Sequence, residues 1–336
     1  MLIHVKREEA LALVKQVMQA IPRKTTVKAL EGIHMEADAN RSLLTLTATN
    51  LEIAIRASLC AAAEQSGSVI LPARFLADAL SRFDGDTVGL ELDEAGRCTL
   101  RSGRARYEIQ ALPGAKYPMP ELPFPEDTIS VKGLRSLARK LLFAAAEDNA
   151  ALMSCVKLTL GPEGLKAVST NGFCVAEARG DDSCKGQAEL LIPARSLSVL
   201  ASISHDSDVY EMGLAGKSVV FWDGTLLFTA RLREGRYPDT ALLMERFNPR
   251  YSVSVSAEEL AAALDAAAVL KAESPRVALA IGAHELRACL KSPGTPSEPA
   301  FFRPAASKML GIHPVFLRFF PCWTKKFRPI QRTRRF

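Results

Sequence analysis

The dipeptide Thr49-Asn50, set in the apolar frame TATNLEIAIRA (residues 47–57), returns 121 positions later as Thr170-Asn171 in VSTNGFCVAEAR (residues 168–179). Two further pairs keep the same order and nearly the same offset. LPARFLADAL from Leu71 answers IPARSLSVLA from Ile192, again 121 apart, and Tyr117-Pro118 answers Tyr237-Pro238 at 120. Three markers in one order at one spacing make residues 1–248 two copies of a module. The period is too long for a solenoid repeat and suits whole domains.

Composition agrees with several cores and little chemistry. A chain of 336 residues with 48% hydrophobic content fills two or three domains. No run reaches the about 18 apolar residues of a membrane span, and the first 20 residues hold acids where a signal peptide is apolar, so a cytoplasmic protein without membrane contact is expected. Seven scattered cysteines without a C-x-x-C pair fit reduced thiols. The five histidines are dispersed and form no H-E-x-x-H, and no G-x-S-x-G elbow occurs. No catalytic residue, metal or cofactor is expected. The formal charge of +6 is set by the end of the chain, because residues 301–336 hold nine basic side chains and no acid. The other 300 residues carry 34 basic and 37 acidic side chains, a net of about −3. Nucleic-acid contact must then come from local arrangement, not bulk charge.

Within the first module, a strand at 2–5 leads to an amphipathic helix at 7–21, with Ala10, Leu11, Val14, Val17, Met18 and Ile21 on one side. Alternating runs at 32–37, 42–48, 52–59 and 68–71 read as strands. Pro72 opens a second helix through Phe83, and turn-rich FDGD, DEAGR and RSGRA separate three more strands ending at Gln110. Five prolines at 111–127 mark a boundary. The plan repeats: strand 128–131, helix 132–146, strands on both sides of Thr170, helix 194–203, and strands at 208–214, 218–222 and 225–232. The fold class is α+β, repeated modules of antiparallel sheet with helices on one face. A third begins at Tyr251, with Ser256 and Glu259 as a capping box and a hairpin within 275–289.

Thr-Asn in its frame, the paired Pro-Ala-Arg helix starts, LREGRYPD (residues 232–239) and the FNPRYSVSVSAEELAAALDAA opening of the third module together resemble the β sliding clamp of bacterial DNA polymerase III. The resemblance covers about residues 1–290. It implies a non-catalytic DNA polymerase processivity factor, a homodimeric ring of three modules per chain with sheets outside and helices lining a channel around double-stranded DNA. The implied domains are 1–122, 128–247 and an incomplete 250–336. Implied partners are DNA, the DNA polymerase III catalytic subunit, the clamp loader and other proteins carrying a clamp-binding peptide.

The residues supply candidates for each role. Lys132, Arg135 and Arg139 are read as one helical face at i, i+3 and i+7, opposite Leu134, Leu137, Ala138, Leu141 and Leu142. Arg7, Lys15, Arg74, Arg82 and Arg195 lie on the corresponding helices, and Arg23 and Lys24 match the family's basic loop. Such contacts would go to phosphates and carry no sequence information. The resemblance places a peptide pocket at Met153, Thr170, Gly172, Phe173, Cys174, Val175, Pro238, Leu242 and Leu243. It departs from the family's Asp-Gly-x-Arg-Leu, with Asn171 for the aspartate, Cys174 for the arginine and Val175 for the leucine. The missing guanidinium removes a bidentate donor. Ring closure is carried onto Tyr107, Val269 and Leu270, residues equally suited to an intramolecular core. Cys174 as a nucleophile would need a base that no histidine is placed to supply.

The third module departs most. From Tyr251 only 86 residues follow, against roughly 120 for a module, without a third Thr-Asn or Pro-Ala-Arg frame. From about 291 the text turns proline-rich, aromatic and basic, as a frame change or a divergent end would leave it. The expectation is a tail that does not complete the domain, with Phe316, Phe319, Phe320 and Trp323 favouring aggregation. A rival makes the tail a single-strand-binding arm. An alternative to the ring is a clamp-like peptide-binding module that cannot close.

Overall fold

In Leu2–Lys6 the side chains of Ile3 and Val5 are buried while His4 and Lys6 are exposed, the period of two that seats a strand on a core. The computed structural model describes residues 1–122, 124–147, 152–180, 188–245, 255–268, 277–281, 286–290 and 300–302. The chain divides into two units, Met1–Leu242 and Leu243–Phe336.

The first unit opens with β1 (Leu2–Lys6), α1 (Arg7–Val17), β2 (Gly32–Asp38), β3 (Leu43–Thr49), β4 (Ile53–Cys60), β5 (Ala62–Gln65), β6 (Gly67–Pro72) and α2 (Ala73–Arg82). After these come β7 (Thr87–Leu92), β8 (Arg97–Ser102), β9 (Ala105–Gln110) and the short β10 (Leu112–Pro113). The second copy runs β11 (Thr128–Lys132), α3 (Leu134–Leu141), β12 (Cys155–Gly161), β13 (Gly164–Thr170), β14 (Val175–Gly180), β15 (Ala188–Pro193), α4 (Ala194–Ile203), β16 (Val209–Ala215), β17 (Ser218–Trp222) and β18 (Leu226–Arg231). Three antiparallel sheets result, in the orders β5-β1-β7-β8-β9, β10-β6-β2-β3-β4-β18-β17-β16-β11 and β14-β13-β12-β15. The nine-stranded sheet belongs to both copies, joined where β4 pairs β18 from Leu226↔Ala57 to Ala230↔Ile53.

Apolar stripes seat the helices on the sheets. Ala10, Val14 and Val17 of α1, with Leu76, Ala79 and Leu80 of α2, are buried with Ile33, Leu44, Leu46 and Ile55 from β2, β3 and β4. In the second copy Leu134, Leu137, Ala138 and Leu141 of α3, with Leu197, Leu200 and Ile203 of α4, meet Val156, Leu158 and Ile192. Burying such a side chain contributes about 1.5–3 kcal/mol, so the stripe, and not helix propensity, holds these short helices. Contacts join α1 to α2, α3 to α4, and α4 to the 3-10 turn Met18–Ala20 that extends α1.

Several sequence expectations shift. Pro72 and Pro193 end β6 and β15 and precede the helices as N-caps instead of occupying their first turn. The helix expected from Lys132 starts at Leu134. Gly133, at φ +65°, takes the left-handed conformation that only glycine adopts without strain, and so separates Lys132, the last residue of β11, from the helix.

An additional helix, α5 (Thr240–Glu245), is capped by Asp239, whose Oδ1 accepts from the N–H groups of Ala241 and Leu242. In the second unit α6 (Ala257–Ala268) begins as expected, Ser256 Oγ accepting from Glu259 N at 3.4 Å. It touches a sheet of β19 (Val277–Ile281), β20 (Leu286–Leu290) and β21 (Ala300–Phe302), in the order β19-β20-β21. The strand β21 lies within the tail read from about 291, and its three residues are too few to show a period in the sequence. Residues 303–336, and with them the expected aggregation patch and arm, lie outside the described residues.

Candidate functional site

The repeated Thr-Asn is a turn-building device. Thr49 N donates to Tyr117 Oη (3.0 Å), Thr49 Oγ1 donates to Ile53 O (2.7 Å) and accepts from Leu51 N, and Asn50 Oδ1 accepts from Glu52 N and Ile53 N. The second copy repeats every bond: Thr170 N to Tyr237 Oη (3.0 Å), Thr170 Oγ1 to Cys174 O (2.8 Å), Gly172 N to Thr170 Oγ1, and Phe173 N and Cys174 N to Asn171 Oδ1. The marker Tyr-Pro is thereby explained, because each tyrosine closes its own module's turn from 67 or 68 residues away. Burial pushes the Tyr117 hydroxyl up to about 12 and raises that of Tyr237, so both act as neutral bridges.

The second turn carries most of the expected pocket residues. Thr170 is buried; Gly172, at φ +86°, leaves room beside Met153, whose Sδ a Cβ there would meet at 3.9 Å. Phe173 is 82% exposed at the tip, an unusual place for an aromatic ring and the strongest apolar signal in the first unit. Cys174 and Val175 are half-buried behind it, Pro238 is exposed next to Tyr237, and Leu242 is exposed on α5. Leu243 is described only in its backbone. The Cys174 thiol is pushed up by burial, against the pull of its bond to Asn171 Oδ1 (3.4 Å), the opposite of a nucleophile's requirement.

The basic candidates separate by module. Lys15 on α1, Arg74 and Arg82 on α2, Arg195 on α4, and Arg23 and Lys24 in the loop after α1 are exposed, and none is ion-paired among the described residues. Thr25 Oγ1 accepting from Val27 N shapes that loop, and Lys28 adds an exposed cation that sequence reasoning missed. Arg7 is largely covered and bonded to Glu8. Lys132 is exposed on β11 and does not share the α3 face with Arg135 and Arg139. Arg135 is half-buried and donates to Ser204 O at 3.2 Å, clamping α3 to the end of α4. Arg139 lies 3.9 Å from Asp206; Lys140 beside it, not foreseen, is exposed. Helices α1 and α2 together hold four bases and three acids, whereas α3 and α4 hold four bases and no acid.

Tyr107 packs inside its own module, edge-on to Phe75 (6.3 Å, 86°) and against Phe83 (5.3 Å). Val269 and Leu270 lie outside the described residues. Among the described residues no cluster of metal-ligating side chains occurs, and no helix is long and apolar enough to cross a membrane.

Residues 1–123 match the family described as DNA polymerase III beta subunit, N-terminal domain, and residues 128–239 match its central domain. The beta sliding clamp of Synechococcus elongatus is 30% identical over 267 residues, 76% of this chain and 70% of that protein. That of Staphylococcus aureus (strain Mu50) is 26% identical over 278 residues, 79% and 73% of the two. Among solved structures, the DNA polymerase sliding clamp from Bacillus subtilis superimposes with a TM-score of 0.79 at 24% identity, covering 90% of this chain and 84% of that one. The Pseudomonas aeruginosa clamp bound to griselimycin gives 0.79 at 21% identity over the same shares. By the matched domains and these relatives, the chain belongs to the DNA polymerase III beta subunit family, the beta sliding clamps.

Proposed function

We propose how this chain serves as a DNA polymerase processivity factor: its helices face duplex DNA, which it holds by enclosure, while a short peptide of the polymerase docks beside Phe173. The observation that carries the reading is the charge of α3 and α4, four bases without an acid, on a body whose net charge is about −3. Exposed Arg23, Lys24 and Arg195, which have no ion pair among the described residues, add phosphate contacts that are strong in sum and blind to sequence, as sliding requires. Such a protein performs no chemistry of its own; its work is to replace dissociation by one-dimensional movement.

The peptide site is an apolar anchor surface, with Phe173 at the tip, Met153 and Val175 beside it, and Pro238 and Leu242 on the following segment. Its occupants are clamp-binding peptides of the polymerase catalytic subunit, the clamp loader and repair proteins. Cys174 in place of the family's arginine leaves apolar burial, not a charged fork, to select them. The test is topological. Loaded onto nicked circular DNA, the protein is expected to stay bound through a high-salt wash and to leave when the circle is linearised. Equal loss from circle and linear DNA would sink enclosure.

A further inference from the structure

Side chains alternate along β17. Val219 and Phe221 join the core that the helices cover, whereas Val220 and Trp222 belong to the opposite face of the nine-stranded sheet. On that outer face Val220 is fully buried, because the segment leading into β11 lies across it: a Cβ on Gly213, the residue opposite Val220, would meet the Pro125 ring at 2.5 Å. The same segment sets Phe124 edge-on to Trp222, with ring centroids 5.4 Å apart at 81°. The corner so formed stays open, Phe124 being 60% and Trp222 37% exposed. Pro125 already seats the segment, and burial does not explain an exposed aromatic pair beside it.

Acidic side chains flank the corner. Glu211 lies directly opposite Trp222, Asp223 follows Trp222, Glu126 and Asp127 follow Pro125, and Glu121 stands three positions before Phe124. The bases closest by register are Lys132, opposite Val209, and Arg56, opposite the Leu227 that pairs with Trp222. Glu211 accepts at Oε2 from Thr128 Oγ1 (2.9 Å) and at Oε1 from Ser130 Oγ. A carboxylate offers about four acceptor positions, so each of these oxygens keeps one for a further donor. Aromatic ring faces attract cations, arginine most often, and a guanidinium can stack on a ring while its fork meets a carboxylate. We propose that the corner of Phe124 and Trp222 docks an arginine side chain carried by a basic segment of a partner protein, with Glu211 as its counter-ion. The flanking acids repel nucleic-acid phosphate, anionic lipid and a second copy of this same face. The site lies opposite the helices and is independent of the enclosure reading.

The probe is the peptide fluorescein-Gly-Arg-Ala-Arg-Gly-amide, titrated with full-length protein and followed by fluorescence anisotropy. Saturable binding is expected, and it should be lost when citrulline, which keeps the shape of arginine without its charge, replaces both arginines. Trp222→Leu should weaken binding by about five-fold, the loss of one cation–π contact. Glu211→Gln should weaken it several-fold at low salt, an effect that fades as salt rises. Phe173→Ala, in the other exposed apolar site, should change nothing. Should Trp222→Leu melt out in a thermal scan, Glu211→Gln and the citrulline peptide decide the matter, since neither disturbs an apolar contact. No saturable binding, equal binding of the citrulline peptide, or a loss in Phe173→Ala instead of Trp222→Leu would overturn the proposal. So would a labelled oligothymidine whose binding depends on Trp222, which would make the corner a base-stacking site. Self-association in sedimentation that Trp222→Leu weakens would make it a contact between copies, and would overturn the proposal equally.

Discussion

The turn between β3 and β4 and the turn between β13 and β14 share every side-chain bond that shapes them, yet they end in different surroundings. In the first, Glu52 O accepts from Arg231 N at 2.9 Å and its carboxylate pairs with Arg233 at 3.3 Å, so the turn is tied to the end of β18. In the second, no described strand runs alongside and Phe173 stands out at the tip. One frame thus works as a fixed joint where β18 runs beside it and, among the described residues, as an open surface in the second copy. The helices differ in the same sense. Those of the first copy mix signs, and those of the second carry bases only.

The largest effect should come from that charge contrast. Replacing Arg139, Lys140 and Arg195 together by alanine is expected to flatten the plot of log affinity against log salt by roughly 2.7 units, at about 0.9 per lost phosphate contact. The matching triple Lys15, Arg74 and Arg82 should flatten it less, because Glu8, Glu9 and Asp78 on the same two helices repel phosphate and hold it farther from those cations. Equal slopes in a fluorescence titration over salt would break the contrast.

Next is the tyrosine that closes each turn. Tyr237 Oη accepts from Thr170 N and donates to Cys155 O (3.1 Å), whereas Tyr117 Oη accepts from Thr49 N. Tyr237→Phe orphans two buried groups and should cost about 1–3 kcal/mol, and Tyr117→Phe about 1 kcal/mol. Urea unfolding of the two variants measures both; a larger loss for Tyr117→Phe would mean that the two nodes are not built alike.

Third is the residue that takes the left-handed turn, Leu51 at φ +72° and Gly172 at φ +86°. Left-handed backbone costs a non-glycine residue about 1–2 kcal/mol. Leu51→Gly should therefore stabilise by up to about 1 kcal/mol after the entropy of the added glycine. Gly172→Ala should destabilise by about as much, with no clash, since Met153 Sδ lies at ordinary contact distance. Thermal melts of opposite sign are the expected result.

These contrasts also explain what could be seen in the chain beforehand. Thr-Asn, Pro-Ala-Arg and Tyr-Pro are legible because each encodes a local act, a turn, a helix start or the hydroxyl that closes the turn, and local acts leave patterns. The start of α3 was misread since hydrophobic spacing runs unbroken through Gly133, whose left-handed φ no periodicity reveals. Arg135 looked like a free cation because its acceptor, Ser204 O, is 69 residues away. β5, β10, α5 and β21 are too short to show a period. Phe173 is legible by its place in the frame, whereas its exposure depends on what surrounds the turn, which no local pattern encodes.

The smallest effect concerns a buried histidine that the second copy lacks. In the sheet registers His34 lies opposite Thr47 and Ile70, and the equivalent place between Val168 and Leu191 is held by Lys157. Lys157 pairs with Glu189 at 2.7 Å. His34 is 6% exposed, rests on the Tyr117 ring at 5.4 Å and leaves Nδ1 without a hydrogen-bond partner among the described residues. Burial lowers its pKa below the ordinary 6.5, outweighing the opposite pull of Glu36, while Arg56 adds to the lowering. The folded state then binds fewer protons than the unfolded chain just below that value, so stability is full above 6.5 and declines as pH falls toward the folded pKa, where it levels off. His34→Gln, which keeps a polar side chain of similar reach, should remove that part of the decline in melts taken from pH 7.5 to 5. An unchanged decline would place the acid sensitivity elsewhere and leave the first copy's tyrosine node as insensitive to acid as the second.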